Sequence, residues 1–160
     1  MPLQGGKTEI VTFSIRDATP DDVNVLREIF RRSALSNEGD RSTLLANQDA
    51  LEFSPPAETD GHSRVAVADG HRIVGFATPV VVRDIIELED LFVDPDWMRR
   101  GVGRALIVDA MEVARQHGIQ RIEVTANPHA LAFYEKAGFS VDHDVETRFG
   151  PGPRMHLVVS

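Results

Sequence analysis

Residues 96–107, DWMRRGVGRALI, set Arg99, Arg100 and Arg104 and two glycines, Gly101 and Gly103, at the entrance of a segment that continues with helical spacing. An ordinary soluble helix opens with a capping side chain and a carboxylate in its first turn. This entrance offers positive charge and little side-chain bulk. The first N–H groups of a helix have no intrahelical partner and point outward along the helix dipole. Glycines at 101 and 103 let a bulky anion approach that backbone, and arginines can clamp phosphate oxygens from the sides. A pyrophosphate cradle fits; so does an irregular turn with solvated arginines. A Walker loop is excluded by the missing Gly-Lys-Ser/Thr, and a dinucleotide fingerprint by Leu106 where a third glycine belongs.

Working outward, the charge changes sign. From Asp84 to Asp96 the charged residues are Asp84, Glu87, Glu89, Asp90, Asp94 and Asp96, all acidic, and the arginines follow. An anion on the basic side and a cation on the acidic side would both be drawn in. Across 160 residues the net charge is −8, which argues against general nucleic-acid binding, and 42% of residues are hydrophobic. The absence of cysteine excludes disulfides, thiolate metal sites and cysteine nucleophiles, and it fits a cytoplasmic setting. The longest apolar run, IVGFATPVVV, is half of the ~20 residues needed to span a bilayer, so no membrane association is expected. The N-terminal stretch lacks the apolar core of a signal peptide. The six histidines show no ligand spacing such as H-E-x-x-H, so no metal is expected.

Element signals alternate along the chain. Residues 1–8 read as a flexible lead-in, and 9–160 as one domain. A strand over 11–18 leads to a helix capped by Thr19 with Pro20 at its first position. A second helix is expected over Ser42–Phe53, then a polar loop over 54–63. A hairpin turns at Asp69-Gly70, and Pro79 predicts a bulge or an edge in its second arm. IIELEDLFV (85–93) is a strand; the Gly/Arg segment then opens a helix that stops at Gly118. RIEVTA is a strand, Asn127-Pro128 starts a last helix ending at Gly138, and a terminal hairpin is expected to turn at Gly150-Pro151-Gly152-Pro153. The order predicts a mixed α/β (α+β) domain: a single, mainly antiparallel twisted sheet flanked by helices.

The runs LEDLFVDPDWMRRGVGRALI and, some twenty residues on, IEVTANPHALAFYEKAGF resemble the GNAT superfamily of acetyl-CoA-dependent N-acetyltransferases. The family's phosphate-loop pattern, Gln/Arg-x-x-Gly-x-Gly/Ala, reads here Met98-Arg99-Arg100-Gly101-Val102-Gly103, with Met98 departing from the usual polar first residue. The resemblance implies that the backbone from Arg99 through Val102 to Arg104 cradles the pyrophosphate of acetyl-CoA. It implies that the backbone of Leu91, Phe92 and Val93 pairs with the pantetheine arm, and that the next strand splays away after about Val124. Asn127 stands where the family has a cofactor-touching asparagine; it also reads as a helix N-cap, and the two roles are compatible. Tyr134 matches the tyrosine near the CoA sulfur, although a tyrosine on an apolar helix face also serves as core. Phe133 reads as core or as a wall of the slot.

Acetyl transfer requires a neutral amine. An alkyl ammonium of pKa about 10.4 is neutral in only about one molecule in 2,500 at pH 7, so deprotonation costs about 4.6 kcal/mol unless the site assists. Strict alternation would place Glu87, Glu89, Leu91 and Val93 on one sheet face and Asp90 on the other, unless a bulge reverses it. By resemblance, Glu87 or Glu89 is the base; otherwise these acids solvate a sheet face, or a water chain carries the proton. Glu123 is a weaker candidate. The expected function is transfer of acetyl from acetyl-CoA to a primary amine, of a small molecule or a protein and of cationic character, by direct attack in a ternary complex. The alternative is a non-catalytic acyl-CoA-binding module, and a transferase of larger acyl groups is a third reading. Family members often pair, so a homodimer is an expectation of the resemblance alone.

Overall fold

The computed structural model describes residues 13–52 and 63–160. Seven strands form one sheet in the order β1 (Phe13–Asp17), β2 (Arg64–Ala68), β3 (Arg72–Val82), β4 (Ile85–Val93), β5 (Arg121–Thr125), β7 (Gly150–Val158) and β6 (Ser140–Thr147). Every neighbouring pair is antiparallel except β4 and β5, which run parallel. Four helices complete the fold: α1 (Val23–Leu35), α2 (Glu38–Ala46), α3 (Val102–Gln116) and α4 (Leu131–Lys136). This is the mixed, mainly antiparallel architecture that the element order implied.

Helical spacing decides which faces are buried. Val102, Leu106, Ile107, Ala110 and Ala114 of α3 pack with Ile86, Leu88, Ile122, Met155 and Leu157 on one sheet face. Tyr134 and Phe139 extend that core under α4. On the opposite face Leu26 and Ile29 of α1 meet Val65, Val67 and Phe76. Before α1, the Thr19 N–H and the Arg16 guanidinium both donate to the Asp22 carboxylate, at 2.8 Å each, which fixes the chain's entry. Arg64 of β2 donates twice to Asp109 of α3, at 2.9 and 2.8 Å, and so ties sheet to helix.

Two details depart from the sequence reading. The second helix spans Glu38–Ala46, and a separate 3₁₀ turn covers Gln48–Leu51. Asn37 supplies the start signal, its side-chain oxygen accepting from the Gly39 N–H at 3.0 Å. The terminal hairpin turns at Arg148-Phe149, because Thr147 already faces Gly150. Gly150-Pro151-Gly152-Pro153 therefore belongs to β7. Gly152 fits there because a Cβ would meet the Ala126 carbonyl oxygen at 2.7 Å. The first strand is seen from Phe13; its expected start, the lead-in and most of the 54–63 loop lie outside the described residues.

Candidate active site

The entrance of α3 is built on a buried carboxylate. Asp94 is 4% exposed, accepts the Asp96 N–H at 2.9 Å, and gives its own N–H to the Val74 carbonyl at 2.8 Å. Arg32 of α1 bridges Asp94 and Asp96 at 3.0 Å each, fastening the loop to the helix behind it. Arg100 lies over the Trp97 ring at 4.9 Å, with Arg72 at 5.8 Å. Arg99 and Gly101 both take left-handed backbone conformations, φ +64° and +87°. Nothing lies within 4 Å of where a Cβ on Gly101 would sit, so the space beside this strained turn is open. Successive N–H groups around such a turn form an anion-binding concavity at the positive end of α3. Gly103 has a different reason to be glycine: a Cβ there would meet the Phe133 ring at 2.8 Å. Phe133 thus walls the helix entrance while staying partly exposed.

Beside this entrance the sheet opens. β4 and β5 pair only at Ile86–Ile122 and Glu87–Glu123, so the separation begins before Val124, earlier than expected. Leu88–Val93 of β4 therefore has no strand partner on its β5 side. The alternation along β4 breaks as well. Thr78 faces Asp90 but Pro79 faces Leu88, leaving Glu89 as an extra residue in a bulge at the position Pro79 marked. Leu91 and Val93 consequently join the α3-side core with Ile86 and Leu88. Phe92 turns to the α1 side, 4.9 Å from Phe30 and 5.6 Å from Phe76. The single face expected for Glu87, Glu89, Leu91 and Val93 is corrected by this bulge: Glu87 lies opposite Leu91.

The bulge sorts the carboxylates. Glu87 is held by Arg154 at 2.7 and 2.6 Å in a two-pronged pair, and Arg154 also donates to Glu123 at 2.9 Å and to Thr125 at 3.0 Å. Arg121 completes the cluster on Glu123 at 2.7 Å, which holds that carboxyl below the ordinary range. Glu89 is exposed and makes no ion pair among the described residues. Asp90 is half-buried; burial pushes its carboxyl up, against a hydrogen bond from Thr78, and the Glu89 charge adds to the rise.

Tyr134 stands close enough to Asp90 to feel its charge. Its ring lies edge-on to Phe133 and Phe139, at 5.1 and 5.2 Å. The residue is 6% exposed, and among the described residues no polar side-chain atom is buried without a partner. The hydroxyl bonds no described residue and so keeps contact with solvent. Burial, and secondarily Asp90, push the phenol well above its ordinary pKa. Asn127 caps the turn before α4, accepting the His129 N–H at 2.9 Å. His129 is half-exposed, 3.4 Å from Asp40 of α2. Among the described residues no cluster of three or more His, Cys, Asp or Glu side chains could hold a metal, and no helix is long and apolar enough to cross a membrane.

A mainly antiparallel sheet that splays beside a glycine-bearing helix entrance is a GNAT-type fold. The profile of the Acetyltransferase (GNAT) family matches residues 23–139, and the chain belongs to that family. It is 36% identical over 75 residues to glucosamine 6-phosphate N-acetyltransferase of Trypanosoma brucei brucei, covering 42% of this chain and 51% of that protein. Over 72 residues it is 38% identical to ribosomal protein bS18-alanine N-acetyltransferase of Escherichia coli, covering 43% and 49%. The matched stretches thus span about half the length of these curated relatives. In fold, it is similar to the PaiA N-acetyltransferase of Thermoplasma acidophilum in complex with coenzyme A, with TM-score 0.69, 20% identity, and 92% and 99% of the two chains covered. The E. coli ribosomal-protein-S18-alanine enzyme superposes with TM-score 0.65 at 24% identity over 93% and 95%.

Sequence reasoning passed over Arg154, Arg32 and Thr78, and left open whether a bulge would turn Asp90 to the Glu87 face, which the bulge at Glu89 does. The signal available for Asp90 was Pro79, a residue without an N–H in the middle of a ladder.

Proposed function

We propose that the chain is an N-acetyltransferase that moves acetyl from acetyl-CoA to a primary amine by direct attack. The observation that carries this reading is the parallel β4–β5 pairing, which stops after two residue pairs and opens a slot leading to the α3 entrance. The left-handed turn at Arg99–Gly101 and the N–H groups of α3 suit the pyrophosphate, with Arg99 and Arg104 as flanking charges. The unpaired edge at Leu91–Val93 suits the pantetheine amides, as an added strand would. Acetyl-CoA supplies a thioester whose carbonyl carbon bonds to the amine nitrogen as the carbon–sulfur bond breaks.

Around that chemistry each side chain has a distinct part. Asp90 and Glu89 draw the ammonium in, and Asp90 accepts its proton. Glu87, with both oxygens on Arg154, sets the sheet geometry instead of acting as base. A backbone N–H at the splay polarises the carbonyl. The raised phenol of Tyr134 is a weaker acid than a thiol of pKa about 8.5, so it stays protonated and supports the leaving thiolate by a hydrogen bond. The acidic mouth favours a cationic amine.

Thermal unfolding with and without excess acetyl-CoA tests the reading. At a hundredfold excess over Kd the expected gain is about 2.7 kcal/mol, a rise of roughly 5–10 °C. CoA release in the presence of a panel of primary amines follows. No shift at millimolar acetyl-CoA overturns the proposal; a shift without turnover on any amine leaves a binding module.

A further inference from the structure

Two hydroxyls sit behind Asp90 in complete burial. Ser63 and Thr78 are each 0% exposed, and their oxygens are 3.0 Å apart. The ladders put them in line: Arg64 faces Ala77, which sets Ser63 opposite Thr78, and Thr78 faces Asp90. Ser63, just before β2, Thr78 of β3 and Asp90 of β4 thus form one row, ending at the slot. The bulge at Glu89 brings Asp90 into this row; without it Glu89 would face Thr78.

The row has a direction. Thr78 and Asp90 are direct cross-strand partners, and an ionised carboxylate only accepts, so a Thr78 hydroxyl turned toward Asp90 is the donor there and leaves its oxygen to accept from Ser63. Every proton in the row is then used. Were Asp90 protonated and donating to Thr78, the row would reverse and Ser63 would need an acceptor of its own. Among the described residues its side chain has only Thr78. Thr78 is also β-branched, with few side-chain rotamers in a strand. The other titratable groups bearing on Asp90 are Glu89 on its own strand and Tyr134 from α4.

We propose that Thr78, oriented by Ser63, is a positioning residue: its hydroxyl holds the Asp90 carboxylate ionised and aimed at the slot, ready to take a proton from the incoming ammonium. The inference rests on the reading of Asp90 as the amine-side carboxylate. It adds that two residues remote from the substrate set Asp90's proton affinity.

The test is a carbon-13 NMR titration of the Asp90 carboxyl, its resonance assigned by loss in Asp90→Asn, in the wild-type chain and in Thr78→Val, Thr78→Ser and Ser63→Ala. It needs neither acetyl-CoA nor amine, so it is separate from the test of the activity. Removing a hydrogen bond to a charged group is expected to raise the midpoint in Thr78→Val by about one pH unit, about tenfold in ionisation constant. Ser63→Ala should give a smaller rise in the same direction, and Thr78→Ser should restore the wild-type midpoint. An unchanged midpoint in both Thr78→Val and Ser63→Ala overturns the inference. If Thr78→Val unfolds, Ser63→Ala and Thr78→Ser decide alone. Unchanged acetyl transfer in Asp90→Asn would remove the role of Asp90 and leave the titration result standing as a structural fact.

Discussion

At the scale of single residues, the two glycines of the α3 entrance answer to different forces, and substitution separates them. Gly101 has open space around it but φ +87°, so Gly101→Ala is expected to cost about 1–2 kcal/mol of backbone strain, with a matching fall in Tm. Gly103 has room in φ but not in space. In Gly103→Ala the gain in helix propensity offsets the displacement of the partly exposed Phe133 ring, leaving stability within about 1 kcal/mol of wild type. The displaced ring then weakens acetyl-CoA binding, measurable by calorimetric titration beside the melting curves. Asp90 gives a second residue-scale expectation. Burial raises its carboxyl, so the folded chain holds that proton more tightly than the unfolded chain does. Stability is therefore lost as pH rises from the unfolded value near 3.9 through the raised one. Asp90→Asn, which cannot ionise, is expected to be more stable than wild type at neutral pH and to lose that advantage on acidification. Urea unfolding at several pH values checks the sign.

At the scale of elements, the α3 loop depends on α1 through one side chain. Arg32→Met leaves the Asp94 carboxylate in a nearly closed environment without its cation. After discounting for the exposure of Arg32, the expected loss is about 1–2 kcal/mol, together with a higher KM for acetyl-CoA at little changed kcat. Steady-state kinetics beside a thermal melt separates the two effects. This contact spans 62 residues of sequence, which is why no local pattern announced it. What was legible along β4 and α3 was local: the apolar positions of the helix, its glycine entrance, the stop at Gly118. What was not legible depended on a partner strand. Period-two counting places Leu91 with Glu87 and fails, because one residue inserted at Glu89 turns the remainder of the strand over. Likewise Gly150-Pro151-Gly152-Pro153 has the composition of a turn, yet the two-residue turn at Arg148-Phe149 fixes the register and draws those residues into β7.

At the scale of the molecule, the slot has a mechanical price. Opening the sheet between β4 and β5 leaves its two parts, β1–β4 and β5–β7, joined by two residue pairs, the shared core beneath, and the Arg154 cluster across β4, β5 and β7. Arg154→Leu deprives Glu87 and Glu123, both about four-fifths buried, of their shared cation and sets two like charges side by side. The expected cost is about 1–3 kcal/mol, less than for a fully buried pair because water reaches the cluster's rim. Its pH dependence follows from the charge. Glu123 is held low, first by Arg121 and then by Arg154, so the stability it supplies is present above the unfolded value near 4.3 and is lost as pH falls through its lowered one. In the variant Glu123 takes up its proton at higher pH. The difference in unfolding free energy between wild type and Arg154→Leu should therefore be widest above pH 6 and shrink below pH 4. A gap that stays constant across that range would mean that the arginine stem packs rather than pairs. If the cluster sets the width of the slot, the same variant should bind acetyl-CoA more weakly at neutral pH, with no contact to the ligand having been removed.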